Sequence, residues 1–296
     1  MIELYKSCNL CARACGIDRT ETVGYCGMPS ALYVARAALH RWEEPCISGE
    51  RGSGTIFFSG CSLRCSFCQN RDISRGRSGR EVSIERLSEI MLELRTQGAH
   101  NVNLVTPTHY VPSIRAAIDI ARTRGLDIPI VYNTSSYDSP TALSLMRGYA
   151  DVYLADFKYY TEKTSGSLAL AHDYPSVARR AIDEMVSQTG ECRFDSDGML
   201  KMGTIVRILL LPGHVAEAKL ICKHIYSTYK NSVYISLMNQ YTPMQGMPSP
   251  LDRRVTREEY RQLVNYALDL GVTNAYTQDF GTAEESFIPP FDNSGV

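Results

Sequence analysis

The chain has 296 residues, with 31 Lys+Arg against 32 Asp+Glu for a net charge of −1, and it is 44% hydrophobic and 21% charged. These are ordinary globular values, sufficient for one large α/β domain or two smaller ones without disulfide staples. The charge balance lacks the basic excess of a dedicated nucleic-acid binder, no apolar run is long enough to cross a bilayer, and no apolar signal segment opens the chain. A cytoplasmic protein with no nucleic-acid or membrane partner is therefore expected.

In chain order, the first feature is cysteine. There are ten, eight of them within the first 68 positions. In a chain that is neither small nor evidently secreted, this points to metal or redox chemistry rather than disulfides. Cys8, Cys11, Cys15 and Cys26 supply four thiolates beside Gly16, Gly24 and Gly27. Their count and compactness suit tetrahedral zinc or an auxiliary iron–sulfur cluster, and ligand type does not separate the two. Cys46 could replace one of them. Residues 1–54 are thus expected to form a cysteine-rich, metal-binding extension.

Residues 55–280 alternate short apolar runs with longer amphipathic ones. Strands are expected at Thr55–Ser59, Asn101–Val105, Pro129–Asn133, Val152–Asp156, Thr204–Leu211, Ser232–Leu237 and Asn274–Gln278, each short, β-branched or aromatic, and bounded by turn residues. Helices are expected at Ser83–Gln97, Pro112–Arg124, Pro140–Arg147, Ser176–Thr189, Ala216–Tyr229 and Thr256–Leu270. The first shows the logic: Ile84, Leu87, Ile90, Met91 and Leu94 make one apolar face, and Gly98 stops it. Such alternation predicts a parallel sheet with helices outside it, with chemistry collected at the carboxyl ends of the strands. Cys222 falls on an apolar helix position and reads as core, while Cys192 has no partner spacing. Residues 281–296, from before Phe287 to Val296, read as a tail.

The loop Gly60–Asn70 follows the first expected strand directly and spaces its thiols Cys61-x3-Cys65-x2-Cys68. Three thiolates in one loop can converge on one inorganic centre, but three are too few for a closed structural zinc site. A cubane iron–sulfur cluster has four irons, so three thiolates leave one iron open to bind a small molecule and pass it an electron. A zinc loop that borrows a fourth thiolate is the plainer alternative.

At this loop the sequence resembles the radical S-adenosylmethionine superfamily, with Phe67 at the aromatic position before the last cysteine. The resemblance implies a partial parallel (β/α) barrel. It also implies a [4Fe–4S] cluster on Cys61, Cys65 and Cys68 whose open iron holds S-adenosylmethionine, and an enzyme that cleaves that sulfonium reductively to a 5′-deoxyadenosyl radical for hydrogen abstraction. Gly54–Asn70, Gly98–Pro112, Ile130–Ser135, Tyr153–Tyr159, Arg207–Gly213 and Ile235–Pro243 resemble more particularly the branch of pyruvate formate-lyase activating enzymes. That branch implies activation of a glycyl radical enzyme, with an electron donor such as flavodoxin or ferredoxin. Modification of a peptide or small molecule is the rival within the same chemistry, and a non-catalytic metal-binding or electron-carrying protein the rival outside it.

By the same resemblance, Asp156 contacts the ribose hydroxyls of the cofactor, Lys158 its methionine part and Arg207 its carboxylate. The chemistry is sensible, since a carboxylate accepts from a diol and Lys pairs with a carboxylate. A central-strand Arg in an apolar run must in any case find an anionic partner or water. Asn133 is expected on ribose and Gln240 on adenine. At the end of the second strand, many members carry Gly-Gly-Glu-Pro to hold the cofactor's amino group. Here the residues are Val105-Thr106-Pro107-Thr108-His109-Tyr110, which offer no carboxylate. His109 is expected to face the substrate as a proton donor or ligand.

Overall fold

The computed structural model describes residues 2–76, 78–279 and 289–296. The strands are β1 (Leu32–His40), β2 (Ser53–Phe58), β3 (Arg80–Val82), β4 (Val102–Val105), β5 (Ile130–Thr134), β6 (Val152–Asp156), β7 (Arg193–Phe194), β8 (Leu200–Leu209), β9 (Tyr234–Met238) and β10 (Ala275–Thr277). The helices are α1 (Glu3–Lys6), α2 (Pro45–Ser48), α3 (Arg71–Ser74), α4 (Ile84–Thr96), α5 (Val111–Thr123), α6 (Pro140–Met146), α7 (Glu162–Ala169), α8 (Tyr174–Thr189), α9 (Val215–Tyr229) and α10 (Arg257–Asp269).

β2, β4, β5, β6, β8, β9 and β10 fall on the strand segments expected from the sequence and pair in parallel, in that order. Consecutive parallel strands need crossovers, and the helices between them supply these. With helices on one face and the barrel interior on the other, β2, β4 and β5 are buried along their whole length. That is why they read as continuous runs rather than alternations. On α4 the buried residues are Leu87, Ser88, Ile90, Met91 and Leu94, the face read from its 3.6-residue period. Ser83 caps its start by accepting from the Arg86 N–H, and Gly98 leaves it at φ +90°, where glycine carries no steric penalty. The architecture is the partial α/β barrel expected, with the cysteine-rich segment bonded to the loops that follow β2, β4 and β5.

The sheet also extends beyond what the sequence suggested. β1 pairs antiparallel with β2, and β3 with β1. The expected boundary at 54/55 falls inside β2, so sheet hydrogen bonding runs straight across it. Because β1 runs against β2, its carboxyl end lies at the amino end of the parallel strands, with His40 opposite Ser53. Chain leaving β1 therefore enters the barrel from the floor. The residues at the chain's end dock on β1: Asn293 N–H donates to the Ala35 carbonyl at 3.0 Å, Ala37 N–H donates to the Ser294 carbonyl at 2.9 Å, and Arg36 pairs with Asp292 at 2.8 Å. Residues 281–288 of the expected tail, Phe287 among them, lie outside the described residues. Among the described residues no helix is long and apolar enough to cross a membrane.

Candidate functional site

A cavity of about 490 Å³ opens at the carboxyl ends of the parallel strands. Cys61, Cys65 and Cys68 all line it, together with Asn133, Asp156, Lys158, Arg207 and Gln240. Strand register explains part of this convergence. Phe57, Val105 and Asn133 stand side by side across β2, β4 and β5, and Asp156 stands beside Arg207, which stands beside Ser236.

The cysteine loop leaves β2 through Gly60, at φ +89°. A Cβ there would collide with Met28 Cγ and come within 3.0 Å of the Cys26 carbonyl oxygen and 3.1 Å of His109 Nε2, so only glycine fits. Gly60 N–H donates to the Ile73 carbonyl at 2.7 Å and Cys61 N–H to the Cys26 carbonyl at 3.3 Å. Leu63 is fully buried, and Phe67 packs its ring 5.8 Å from that of Tyr241 and 6.4 Å from that of Tyr159. These apolar anchors fix the loop and leave the thiols toward the cavity. Tyr159 Oη donates to Cys65 Sγ at 3.1 Å. Burial pushes the Cys65 thiol up to about 12 against the pull of Lys158, and it raises Cys68 as well; each of these thiols also feels the charge of Cys61. A buried thiol of this kind gives up its proton only to a cation that replaces its lost hydration. Among the described residues no three His, Cys, Asp or Glu side chains close on a single metal ion. Three thiolates are too few for a closed structural zinc site, which takes four ligands.

Near the loop, Lys158 Nζ pairs with Asp156 Oδ2 at 2.7 Å. Burial works against the Lys158 ammonium, but Asp156 and the neighbouring thiols outweigh it and hold the pKa above the ordinary lysine value. Tyr174 ties this corner together. Its hydroxyl accepts from Lys158 N–H at 2.8 Å and lies 3.0 Å from both the Asp156 and Ser135 carbonyls. Gln240 offers its carbonyl to Gln69 Nε2 at 3.0 Å and its side-chain oxygen to Gln278 Nε2 at 2.9 Å. At the ends of β4 and β5, Thr106 and Ser136 both sit at φ +59°, a left-handed conformation that residues other than glycine rarely adopt.

Two carboxylates that the sequence reading missed belong to this site. Glu43 and Glu44, on the turn that enters the floor after β1, line the cavity and clamp Arg207. Arg207 Nε donates to Glu44 Oε1 at 2.8 Å and Nη2 to Glu44 Oε2 at 2.6 Å, while Nη2 also reaches Glu43. Glu43 accepts in turn from Asn103 Nδ2 at 2.8 Å and Asn133 Nδ2 at 3.4 Å. Arg207, expected to face a cofactor carboxylate, thus already has anionic partners within the protein. The signal for them was Trp42-Glu43-Glu44-Pro45, adjacent carboxylates stopped by a proline just after an apolar run.

His109 does not line the cavity. It is 1% exposed, and its Nε2 lies 2.8 Å from the Ser59 carbonyl. Burial, with Arg19 adding to it, drives the pKa down to about 3, so the ring is neutral and donates to that carbonyl. This placement differs from the substrate-facing proton donor expected, because the 3₁₀ turn Thr108–Tyr110 folds the ring under the cysteine loop.

The remaining cysteines divide. Cys8, Cys11 and Cys26 are buried and Cys15 half-buried, all with free thiols. Backbone bonds from Cys8 N–H to the Ile17 carbonyl and from Gly16 N–H to the Cys8 carbonyl close the loop that gathers them. Cys46 lies elsewhere, in a small core with Val131, Leu154 and Ile205, against Cys192. Cys222 is fully buried on α9, in the main core.

Residues 55–193 match the Radical SAM superfamily. That family implies an enzyme with a [4Fe–4S] cluster and bound S-adenosylmethionine. An uncharacterized protein of Methanocaldococcus jannaschii is 28% identical over 283 residues, covering 90% of this chain and 77% of that one. A domain of the pyruvate-formate lyase-activating enzyme of Bacteroides vulgatus superposes with TM-score 0.41 at 12% identity, over 57% of this chain and 92% of that one. Streptococcus suis SuiB superposes with TM-score 0.49 at 13% identity, over 77% of this chain and 48% of that one.

Proposed function

We propose that Cys61, Cys65 and Cys68 hold the catalytic [4Fe–4S] cluster, and that S-adenosylmethionine lies beside them in the cavity, over the ends of β5, β6 and β8. When bound, the cluster supplies the single electron that cleaves the sulfonium to methionine and a 5′-deoxyadenosyl radical. The chain's own residues bind, orient and exclude water. The Asp156 carboxylate accepts from the ribose diol, and the Lys158 ammonium, kept charged by its surroundings, meets the carboxylate of the methionine part. Asn133 reaches the ribose and Gln240 the adenine edge. Glu43 and Glu44 fix Arg207 on the floor, which sets the depth of the cavity. What carries this reading is that the three-cysteine loop and the Asp156–Lys158 pair line one cavity.

The cavity's volume, about 490 Å³, suits one nucleotide-sized ligand. The resemblance of the sequence to the activating enzymes extends the reading to activation of a glycyl radical enzyme: a glycine-bearing loop of a partner protein would offer a Cα–H with no side chain in the way, and a small redox protein would serve as electron donor. The test is anaerobic turnover with reductant. The holoenzyme should release 5′-deoxyadenosine and methionine, Cys65→Ala should release none, and deuterium should move from a Cα-labelled glycine of the partner into 5′-deoxyadenosine. Label arriving instead from a side chain or a small molecule would transfer the assignment to peptide or small-molecule modification. Cleavage that survives Cys65→Ala would end the cluster assignment.

A further inference from the structure

The three-cysteine loop carries positive charge that binding the nucleotide does not use. From Gly60 to Gly76 the chain holds Arg64, Arg71 and Arg75 against one acid, Asp72, although the whole chain has a net charge of −1. Arg13 of the amino-terminal segment joins them. Its guanidinium lies 4.2 Å from the centroid of the Tyr25 ring, and that of Arg64 lies 4.7 Å from the same centroid. Arg64 Nη2 and the Arg75 carbonyl both come 3.6 Å from the position a Gly27 Cβ would take, so the backbone of Arg75 borders Arg64. Arg13 donates to the Ser62 carbonyl at 2.9 Å and Arg71 to the Ser66 carbonyl at 3.1 Å, beside Cys61 and Cys65 in the chain. Among the described residues none of these four arginines forms an ion pair, whereas Arg36, Arg86, Arg95, Arg147 and Arg207 all do. Arg75 is exposed and the other three are half-buried. None of the four lines the cavity, although the three thiols do.

We infer that Arg13, Arg64, Arg71 and Arg75 form the docking face for an acidic protein that carries one electron. The inference rests on the cluster assignment proposed above, which makes a reductant necessary. One electron passes from the reduced carrier to the cluster, taking it from [4Fe–4S]2+ to [4Fe–4S]1+. The carrier leaves oxidised by that electron, and no bond breaks and no proton moves. Position favours this occupant. The guanidiniums adjoin the backbone between the ligand cysteines, so an electron arriving here has only the loop to cross. A substrate segment has to enter the cavity, and these side chains are not on its lining. Carrier and nucleotide therefore bind without competing. Stacking on Tyr25 and bonds to loop carbonyls hold Arg13, Arg64 and Arg71 in place before a partner arrives, which lowers the ordering cost of docking. Charge of one sign gathered on a surface speeds association with a partner of the other sign by about 10–10³-fold, and salt screens the effect.

Anaerobic titration calorimetry of the holoenzyme with an acidic flavodoxin tests the face without turnover. The wild type should bind at about 0.01 M salt and lose affinity by about 0.1 M, as the Debye length falls from about 30 Å to about 10 Å. Arg64→Gln/Arg75→Glu should weaken binding about tenfold or more at the lower salt. It should slow flavodoxin-driven release of 5′-deoxyadenosine by a similar factor. Release driven by photoreduced 5-deazaflavin, a small neutral reductant that needs no docking face, should stay at the wild-type rate. Arg261→Gln, an exposed change on α10, should bind as the wild type does. Equal binding by the wild type and the double variant overturns the inference and assigns the arginines to another acidic partner. So does binding indifferent to salt, or an equal loss in Arg261→Gln. Should the double variant lose deazaflavin-driven release as well, the loop itself is disturbed, and Arg75→Glu alone decides: a loss of affinity of at least about twofold supports the inference, and none overturns it. Failure of the cluster assignment shows separately, as wild-type protein that releases no 5′-deoxyadenosine with the small reductant.

Discussion

Arg207→Met isolates the buried ion cluster on the cavity floor. The side chains of Arg207, Glu43 and Glu44 are 9%, 10% and 5% exposed, so solvent screens them little. Removing the cation strands two carboxylates, and breaking such a pair costs about 3–5 kcal/mol. For a chain of this size that corresponds to a fall in Tm of roughly 6–20 °C. The sign with pH follows from Glu44. Burial alone would raise its pKa, but Arg207 more than reverses this and holds it below the usual value of 4.5. A depressed carboxyl lends stability that is present above its unfolded pKa and is lost as pH falls through the folded one. The deficit of Arg207→Met should therefore be largest near pH 7 and shrink toward pH 4, where the stranded carboxylates protonate. Thermal melts at both pH values measure it. Adding Glu43→Gln and Glu44→Gln to Arg207→Met should restore most of the loss at pH 7. A loss under about 1 kcal/mol at pH 7, or one of equal size at pH 4, would refute the account.

Other outcomes follow from buried groups nearby. Asp138 is buried and accepts from Thr108 at 2.7 Å, Tyr132 at 2.8 Å and Thr134 at 2.6 Å, yet burial keeps its carboxyl above the ordinary range. Its stabilisation is complete below the unfolded pKa and declines as pH rises through the folded one, so Asp138→Asn should gain on the wild type between pH 4 and 7 in urea titrations. Asp138→Ala, which leaves three hydroxyls without their acceptor, should cost about 2–4 kcal/mol at pH 4. His109, with its pKa near 3, should show no ring titration by NMR between pH 5 and 8; a titration near 6.5 would return it to the candidates for proton transfer.

Local features were legible. The close spacing of Cys61, Cys65 and Cys68 needs no tertiary knowledge to bring the thiols together, and Asp156 and Lys158 lie at the carboxyl end of a strand whose apolar run is plain. Long-range partners were not. Glu44 meets Arg207 across 163 positions, and only the antiparallel return of β1 brings them together. β1 itself was obscured because Arg36 interrupts an alanine-rich run inside a region dominated by cysteine. α7 was hidden by Thr164, Ser165, Gly166 and Ser167, poor helix formers. The glycine is required there, since a Cβ at 166 would run into the ring of His172. His109 illustrates the opposite failure. A polar residue at a strand end looks functional in one dimension, and only packing against Ser59 and Arg19 shows it closed to the cavity.

Gly60 is the point where the two cysteine loops, the 3₁₀ turn and the first parallel strand come closest, and it admits no side chain. A substituent there would act as a wedge driven between neighbours that have no slack. The same strike would loosen the lobe carrying Met28 and Cys26 and tilt the loop carrying Cys61. Damage at this residue should therefore arrive at both sulfur nests together, making them one mechanical unit although separate stretches of chain supply them.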